Sequence, residues 1–149
     1  MKYEDLLELV QNTRSIRRFK PDAVSDDMID RMFEVARRAP SGFNQQPWEF
    51  VIIRDPELKN EISSLFDSYW DQSRIMENTR EQWQRVWNPE PAGSQSDYST
   101  APVFILILGD TRTKSGLPMG VRFDQRRREQ IFISSLANTV LYLHMAASV

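Results

Sequence analysis

Two short segments hold most of the residues able to do chemistry. The first is Arg14-Ser15-Ile16-Arg17, followed by Arg18, Phe19 and Lys20. Two guanidinium groups and a hydroxyl within four residues can surround one phosphate, because arginine offers planar bidentate donors and serine adds another. Ile16, between them, is expected to face the core and pin the segment. Taken alone, the same residues also suit a solvated surface between two helices. The second segment is Ala39-Pro40-Ser41-Gly42-Phe43-Asn44-Gln45-Gln46-Pro47-Trp48. Ser41-Gly42 can place backbone N–H groups close to a ligand, and Asn44 and Gln46 each offer donors and acceptors. That equipment suits the edge of a polar heterocycle. It also suits an ordinary helix-to-strand loop.

What the chain lacks narrows the chemistry. There is no cysteine, which removes disulfides, thiolate catalysis, iron–sulfur clusters and Cys-based zinc sites together. A catalytic triad or a multi-histidine metal site would have to be built on the single histidine, His144. That residue lies in the apolar run Leu141–Ala147 and reads as a buried or partly buried helix residue with a satisfied hydrogen bond. Such a protein binds without chemistry, uses carboxylates, or borrows a cofactor. The formal net charge of -2 gives no basic excess for coating nucleic acid. Arg37-Arg38 and Arg126-Arg127-Arg128 are flanked by carboxylates or apolar residues, as on a solvated helix face. The polar N-terminus does not read as a signal peptide, and no apolar run approaches the roughly 20 residues that span a bilayer. A cytoplasmic protein is expected.

The elements that must position the two segments are legible in outline. With 149 residues, one domain with one sizeable core is expected over 1–149. Tyr3 to Gln11 reads as a short helix with Leu6, Leu7 and Val10 on one face. Ser25 is an N-cap before acidic Asp26 and Asp27, opening a helix with Met28, Ile29, Met32, Phe33 and Ala36 at helical spacing to about Arg38. Trp48 to Ile53 reads as a strand. Asp55-Pro56 starts another helix. The polar stretch Asp67 to Trp87, with Trp70, Trp83 and Trp87, is weakly specified but helical, and Asn88 to Ser99 is a loop. Val103 to Leu108 is apolar at every position, which predicts a strand covered on both faces. A loop spans Asp110 to Gly120. The last helix starts near Asp124 and becomes almost wholly apolar from Leu136, which predicts a core helix.

Taken together, the order and spacing of the two segments, the helix between them, the strand preceded by Ala101-Pro102 and the long apolar helix resemble the FMN-dependent nitroreductase family. The Pro-Ser-Gly…Asn…Gln-Pro-Trp run is the most specific part. The resemblance implies an α+β fold with a mixed, mainly antiparallel sheet flanked by helices, in an intertwined homodimer. It implies that Arg14, Ser15 and Arg17 grip the FMN phosphate. It implies that Pro40, Ser41, Gly42 and Asn44, with Gln46 near, approach the isoalloxazine of the partner subunit. The implied activity is hydride transfer from NADH or NADPH through FMN to an electron-poor small aromatic acceptor, such as a nitroaromatic or quinone. Reductive dehalogenation with the same flavin, or flavin binding without turnover, are the alternatives. A nucleotide- or anion-binding module using the same arginines is a reading from another class.

Three departures from the family pattern stand out. Thr13 occupies a position where members often carry a further basic residue. The chain ends inside an apolar helix at Val149, before the loop, strand and late basic residue that members add, so a truncated form of the fold is expected. The Asp67–Ser99 segment, which in the family covers the substrate side, varies; Trp70, Trp83, Trp87 and Tyr98 there either pack or stack on an aromatic acceptor.

Overall fold

A computed structural model describes residues 2–14, 16–85, 98–116 and 124–149. Ser15, Trp87 and most of the expected loops at 88–99 and 110–120 lie outside the described residues, wholly or in part. The element order is α1 (Tyr3–Asn12), α2 (Asp26–Ala36), β1 (Trp48–Ile53), α3 (Pro56–Asn78), β2 (Phe104–Gly109) and α4 (Gln125–Ala146). Short 3-10 turns lie at Gly42–Asn44, Gln82–Gln84 and Thr111–Lys114.

Helix starts follow the capping residues. Ser25 accepts from the Met28 N–H, Asp55 from Leu58 N–H and Asp124 from Arg127 N–H, each satisfying one of the amides that a helix start leaves without a partner. Pro56 stands in the first turn of α3, where its missing N–H is no loss. The weakly specified polar stretch continues α3 to Asn78.

The contacts divide the chain into two compact units. The first contains α1, α2, α4, nearly all of both strands, and the segment 36–48. β1 and β2 pair as a two-stranded sheet. The Asp110 N–H donates to the Pro47 carbonyl at 2.9 Å, so the start of β1 meets the end of β2 and the pair is antiparallel. The core lies between α2 and α4, where Ile29, Ala36, Ala39 and Leu143 are buried. Phe33 of α2 stacks on Phe50 of β1, with centroids 4.6 Å apart. Gly109 lets β2 pass under α4: an added β-carbon would stand 2.5 Å from Phe132 Cζ and 2.8 Å from Leu136 Cδ1.

The second unit contains residues 15–23, most of the connection to β2, and α3. Phe66 of α3 packs on Tyr98, which stacks on Phe19 at 6.0 Å. Lys59 donates to the carbonyls of Ala101 and Pro102, and Thr100 Oγ1 donates to the Phe19 carbonyl. Tyr98 therefore packs. Trp83 is exposed.

Four expectations are corrected. Ile16 is 63% exposed and pins nothing, because it sits in an irregular stretch where Phe19 makes the apolar contact instead. β2 is not covered on both faces: α4 lies against Gly109, but Leu106 and Leu108 are exposed, and among the described residues the sheet has two strands. His144 is exposed rather than buried. α4 is a core helix, but its buried face is not wholly apolar. Its buried residues are Ser135, Thr139 and Leu143, while Ile133 and Leu141 face outward. Of the inward stripe at i, i+4, i+8, Ser135 and Thr139 meet a closely approaching backbone and bond it, while Leu143 packs.

Candidate cofactor site

The segment between α2 and β1 is held from two directions. Along one face of α4, three side chains bond its backbone. Thr139 Oγ1 donates to the Ala36 carbonyl at 3.0 Å, Asn138 Nδ2 donates to the Pro40 carbonyl at 2.9 Å, and Ser135 Oγ accepts from the Gly42 N–H at 3.1 Å. On another side, Gln45 Nε2 donates to the Thr113 carbonyl at 2.7 Å. Gly42 is required by proximity, since a β-carbon there would overlap Ile131 Cγ2.

The loop also bonds itself. Ser41 Oγ accepts from the Gln46 N–H at 3.0 Å, the Asn44 N–H donates to the Ser41 carbonyl, and Gln46 Nε2 reaches the Arg37 carbonyl at 3.3 Å. Within this frame Phe43, Asn44 and Gln46 all have positive φ, at 55°, 54° and 47°. Asparagine tolerates the left-handed region; phenylalanine and glutamine do not favour it. Such residues are strained by about 1–3 kcal/mol each, and they persist where the surroundings over-determine them, commonly at ligand sites.

The eight residues singled out from the sequence divide as follows. Pro40, Ser41, Gly42, Asn44 and Gln46 are brought together in this loop. Asn44 is exposed, and its side-chain amide has no hydrogen-bond partner among the described residues. Ser41 keeps a hydroxyl proton to donate and Gln46 keeps its side-chain carbonyl. The expectation for the Gly42 N–H is corrected, because it donates to Ser135 rather than facing a ligand.

Arg14 is exposed. Its guanidinium bonds the Thr13 carbonyl at 2.9 Å and has no carboxylate partner among the described residues, which leaves donors for an anion. Arg17 is also exposed; Ser15 lies outside the described residues. Thr13 ends α1, its hydroxyl donating to the Leu9 carbonyl at 2.9 Å and lying 3.5 Å from Ser148 Oγ, the outer limit of a hydrogen bond. Ser135 and Ser148 are 13 positions apart, about 20 Å along a helix. Within the first unit, the loop therefore meets the middle of α4, while Thr13, next to Arg14, lies near Ser148, just past the end of that helix.

Sequence reasoning missed Ser135, Asn138, Thr139 and Gln45. For the three on α4 a signal was present: polar residues at i, i+3 and i+4 within the more apolar C-terminal part of the helix. At the exit of β2, Asp110 accepts from Arg112 Nε and Nη2, both at 2.8 Å, and from its N–H at 3.0 Å. These bonds hold the Asp110 carboxyl below its ordinary range. Among the described residues no three or more potential ligands cluster around a metal position, and no helix is long and apolar enough to cross a membrane.

Comparison with known proteins decides the family. The nitroreductase family model matches residues 10–143. The chain belongs to the nitroreductase family. Iodotyrosine deiodinase 1 of Rattus norvegicus is 31% identical over 109 residues, covering 72% of this chain and 38% of that protein. A putative NADH dehydrogenase/NAD(P)H nitroreductase of Archaeoglobus fulgidus is 36% identical over 63 residues, covering 42% of this chain and 36% of that protein. The chain thus spans less than two fifths of either relative. A solved structure of oxidised iodotyrosine deiodinase bound to FMN and 3-iodo-L-tyrosine superposes with a TM-score of 0.69 at 23% identity, covering 96% of this chain and 68% of that one. NfrA2 of B. megaterium superposes with a TM-score of 0.66 at 23% identity, covering 99% and 51%. The nitroreductase-like α+β fold of this chain follows.

Proposed function

We propose that this nitroreductase-family chain binds FMN and serves an NAD(P)H-dependent oxidoreductase acting on an electron-poor aromatic such as a nitroaromatic or quinone. The observation that carries the reading is the loop 40–46, which holds three non-glycine residues at positive φ and leaves Asn44 and the Ser41 hydroxyl able to meet a polar ring edge. Its donor set fits a flavin, whose ring edge alternates acceptors and donors.

Bound FMN would supply two-electron chemistry linking NADH or NADPH to the acceptor. The protein's part is placement and electrostatics. Arg14, Ser15 and Arg17 hold the phosphate. Pro40, Ser41, Asn44 and Gln46 line the ring of the partner subunit's flavin, and Gly42 lets their backbone lie against α4. The two-subunit arrangement is supported by the separation of the loop from Arg14 within the first unit, and by the exposed apolar residues Ile133, Leu141, Leu106 and Leu108, which a second subunit would cover. The cytoplasm, where both nicotinamide donors are available, is the proposed setting.

A second reading, reductive dehalogenation of an aromatic, is favoured by the likeness to iodotyrosine deiodinase 1. The test begins with an absorption spectrum after FMN is added and the excess removed. Retained flavin bands support the site, and a protein left colourless once the excess FMN is removed rejects it. NAD(P)H consumption with a nitroaromatic or quinone, against halide release from a halophenol, then separates the two activities. Retained flavin with neither reaction leaves a binding protein without turnover.

A further inference from the structure

We infer that Ser135 and Asn138 of α4 are positioning residues for the flavin ring, a role that rests on the FMN reading above. The loop's internal bonds, from Asn44 to Ser41 and from Gln46 to Ser41, travel with it and do not fix where it lies. The bonds from α4 do. Ser135 is 2% exposed, and its hydroxyl donates to the Ile131 carbonyl at 2.6 Å, so its lone pairs are left for the Gly42 N–H at 3.1 Å. Asn138, one turn on, holds the Pro40 carbonyl at 2.9 Å. Both anchors fall immediately before the positive-φ residues 43, 44 and 46. Releasing them lets the loop relax toward ordinary backbone geometry and withdraws Ser41 and Asn44 from their places. The phosphate end, held by Arg14 and Arg17, is untouched by that change.

This separation of ring from phosphate supplies the test. Ser135→Ala removes an acceptor, and Asn138→Asp replaces a donor by an acceptor at constant shape. Titration of the full chain with FMN and with riboflavin should show both ligands weakened by about the same factor, on the order of tenfold, because one hydrogen bond's worth of ring placement is lost. The FMN-to-riboflavin affinity ratio should stay at its wild-type value. In the flavin-free protein, amide hydrogen exchange over 40–46 should accelerate in both variants, and Ser135→Thr, which keeps the hydroxyl, should restore slow exchange. Affinities within twofold of wild type, or exchange over 40–46 unchanged, overturn the inference. So does a fall in the affinity ratio, which would place the effect at the phosphate. If Ser135→Ala does not fold, Asn138→Asp decides, since Asn138 is half-exposed. A wild-type chain that binds neither flavin rejects the FMN reading itself, whereas binding wild type with unaltered variants rejects only the positioning role.

Discussion

The Gly42 N–H and the Ser135 hydroxyl, 93 positions apart in sequence, meet at 3.1 Å, while the Gly42 α-carbon lies too close to Ile131 for any side chain. One residue of the loop is thus tied to two of α4, by a hydrogen bond and by contact.

Gly42→Ala should destabilise the chain by about 1–3 kcal/mol, the usual range for overpacking. Ile131→Ala should recover part of that loss when the two are combined, because it removes the overlapping methyl. Urea unfolding of the two single variants and the double variant gives the coupling energy. Additive losses would mean that the two residues do not meet.

Arg14→Ala should weaken FMN binding by about tenfold or more, the worth of a charge-assisted hydrogen bond of roughly 1.5–3 kcal/mol. Riboflavin, which has no phosphate, should bind the variant as it binds wild type. Equal weakening of both ligands would move Arg14 away from the phosphate.

Phe43→Asn should stabilise the folded chain by roughly 0.5–1 kcal/mol, since asparagine enters the left-handed region more readily than phenylalanine. Thermal or urea unfolding without ligand reads this directly. A destabilised variant would show that contacts of the Phe43 ring outweigh the backbone strain.

Asp110 gives a pH dependence whose sign is set by its bonds to Arg112. Its folded carboxyl titrates below the ordinary aspartate value because it accepts from the Arg112 side chain, and then from the Arg112 N–H. Its stabilising effect is therefore present above the unfolded value of about 3.9 and is lost as pH falls through the lower folded value. Urea unfolding as pH is lowered from neutral through the unfolded value of about 3.9 and into the acid range below it should show a shallower acid loss in Asp110→Asn. Parallel profiles for the two proteins would remove Asp110 from the acid response.

The secondary structure was legible where local chemistry dictates it. Ser25, Asp55-Pro56 and Asp124 announced three helix starts, and β1 was read at its observed bounds. The composition of the candidate loop was legible too. Its geometry was not, because nothing local to Phe43 or Gln46 favours positive φ; the strain is imposed by α4 and Thr113, remote in sequence. Burial was misread at Ile16, Leu106, Leu108 and along α4 for a related reason. Apolarity says that a residue gains by being covered but not which surface covers it. The apolar run from Leu136 predicts a core helix, yet two of the three buried positions of α4 are the hydroxyl residues Ser135 and Thr139.

That choice of hydroxyls makes the seat of α4 discrete. A helix docked through leucines can slide along its neighbour with gradual changes in contact. A helix docked through Ser135, Asn138 and Thr139 cannot move by one turn without parting from the Gly42 amide and the carbonyls of Pro40 and Ala36 at once. Small displacements are resisted and large ones are all-or-none. In mechanical terms α4 is a keyed shaft, and its key fits only one notch of the chain beside it.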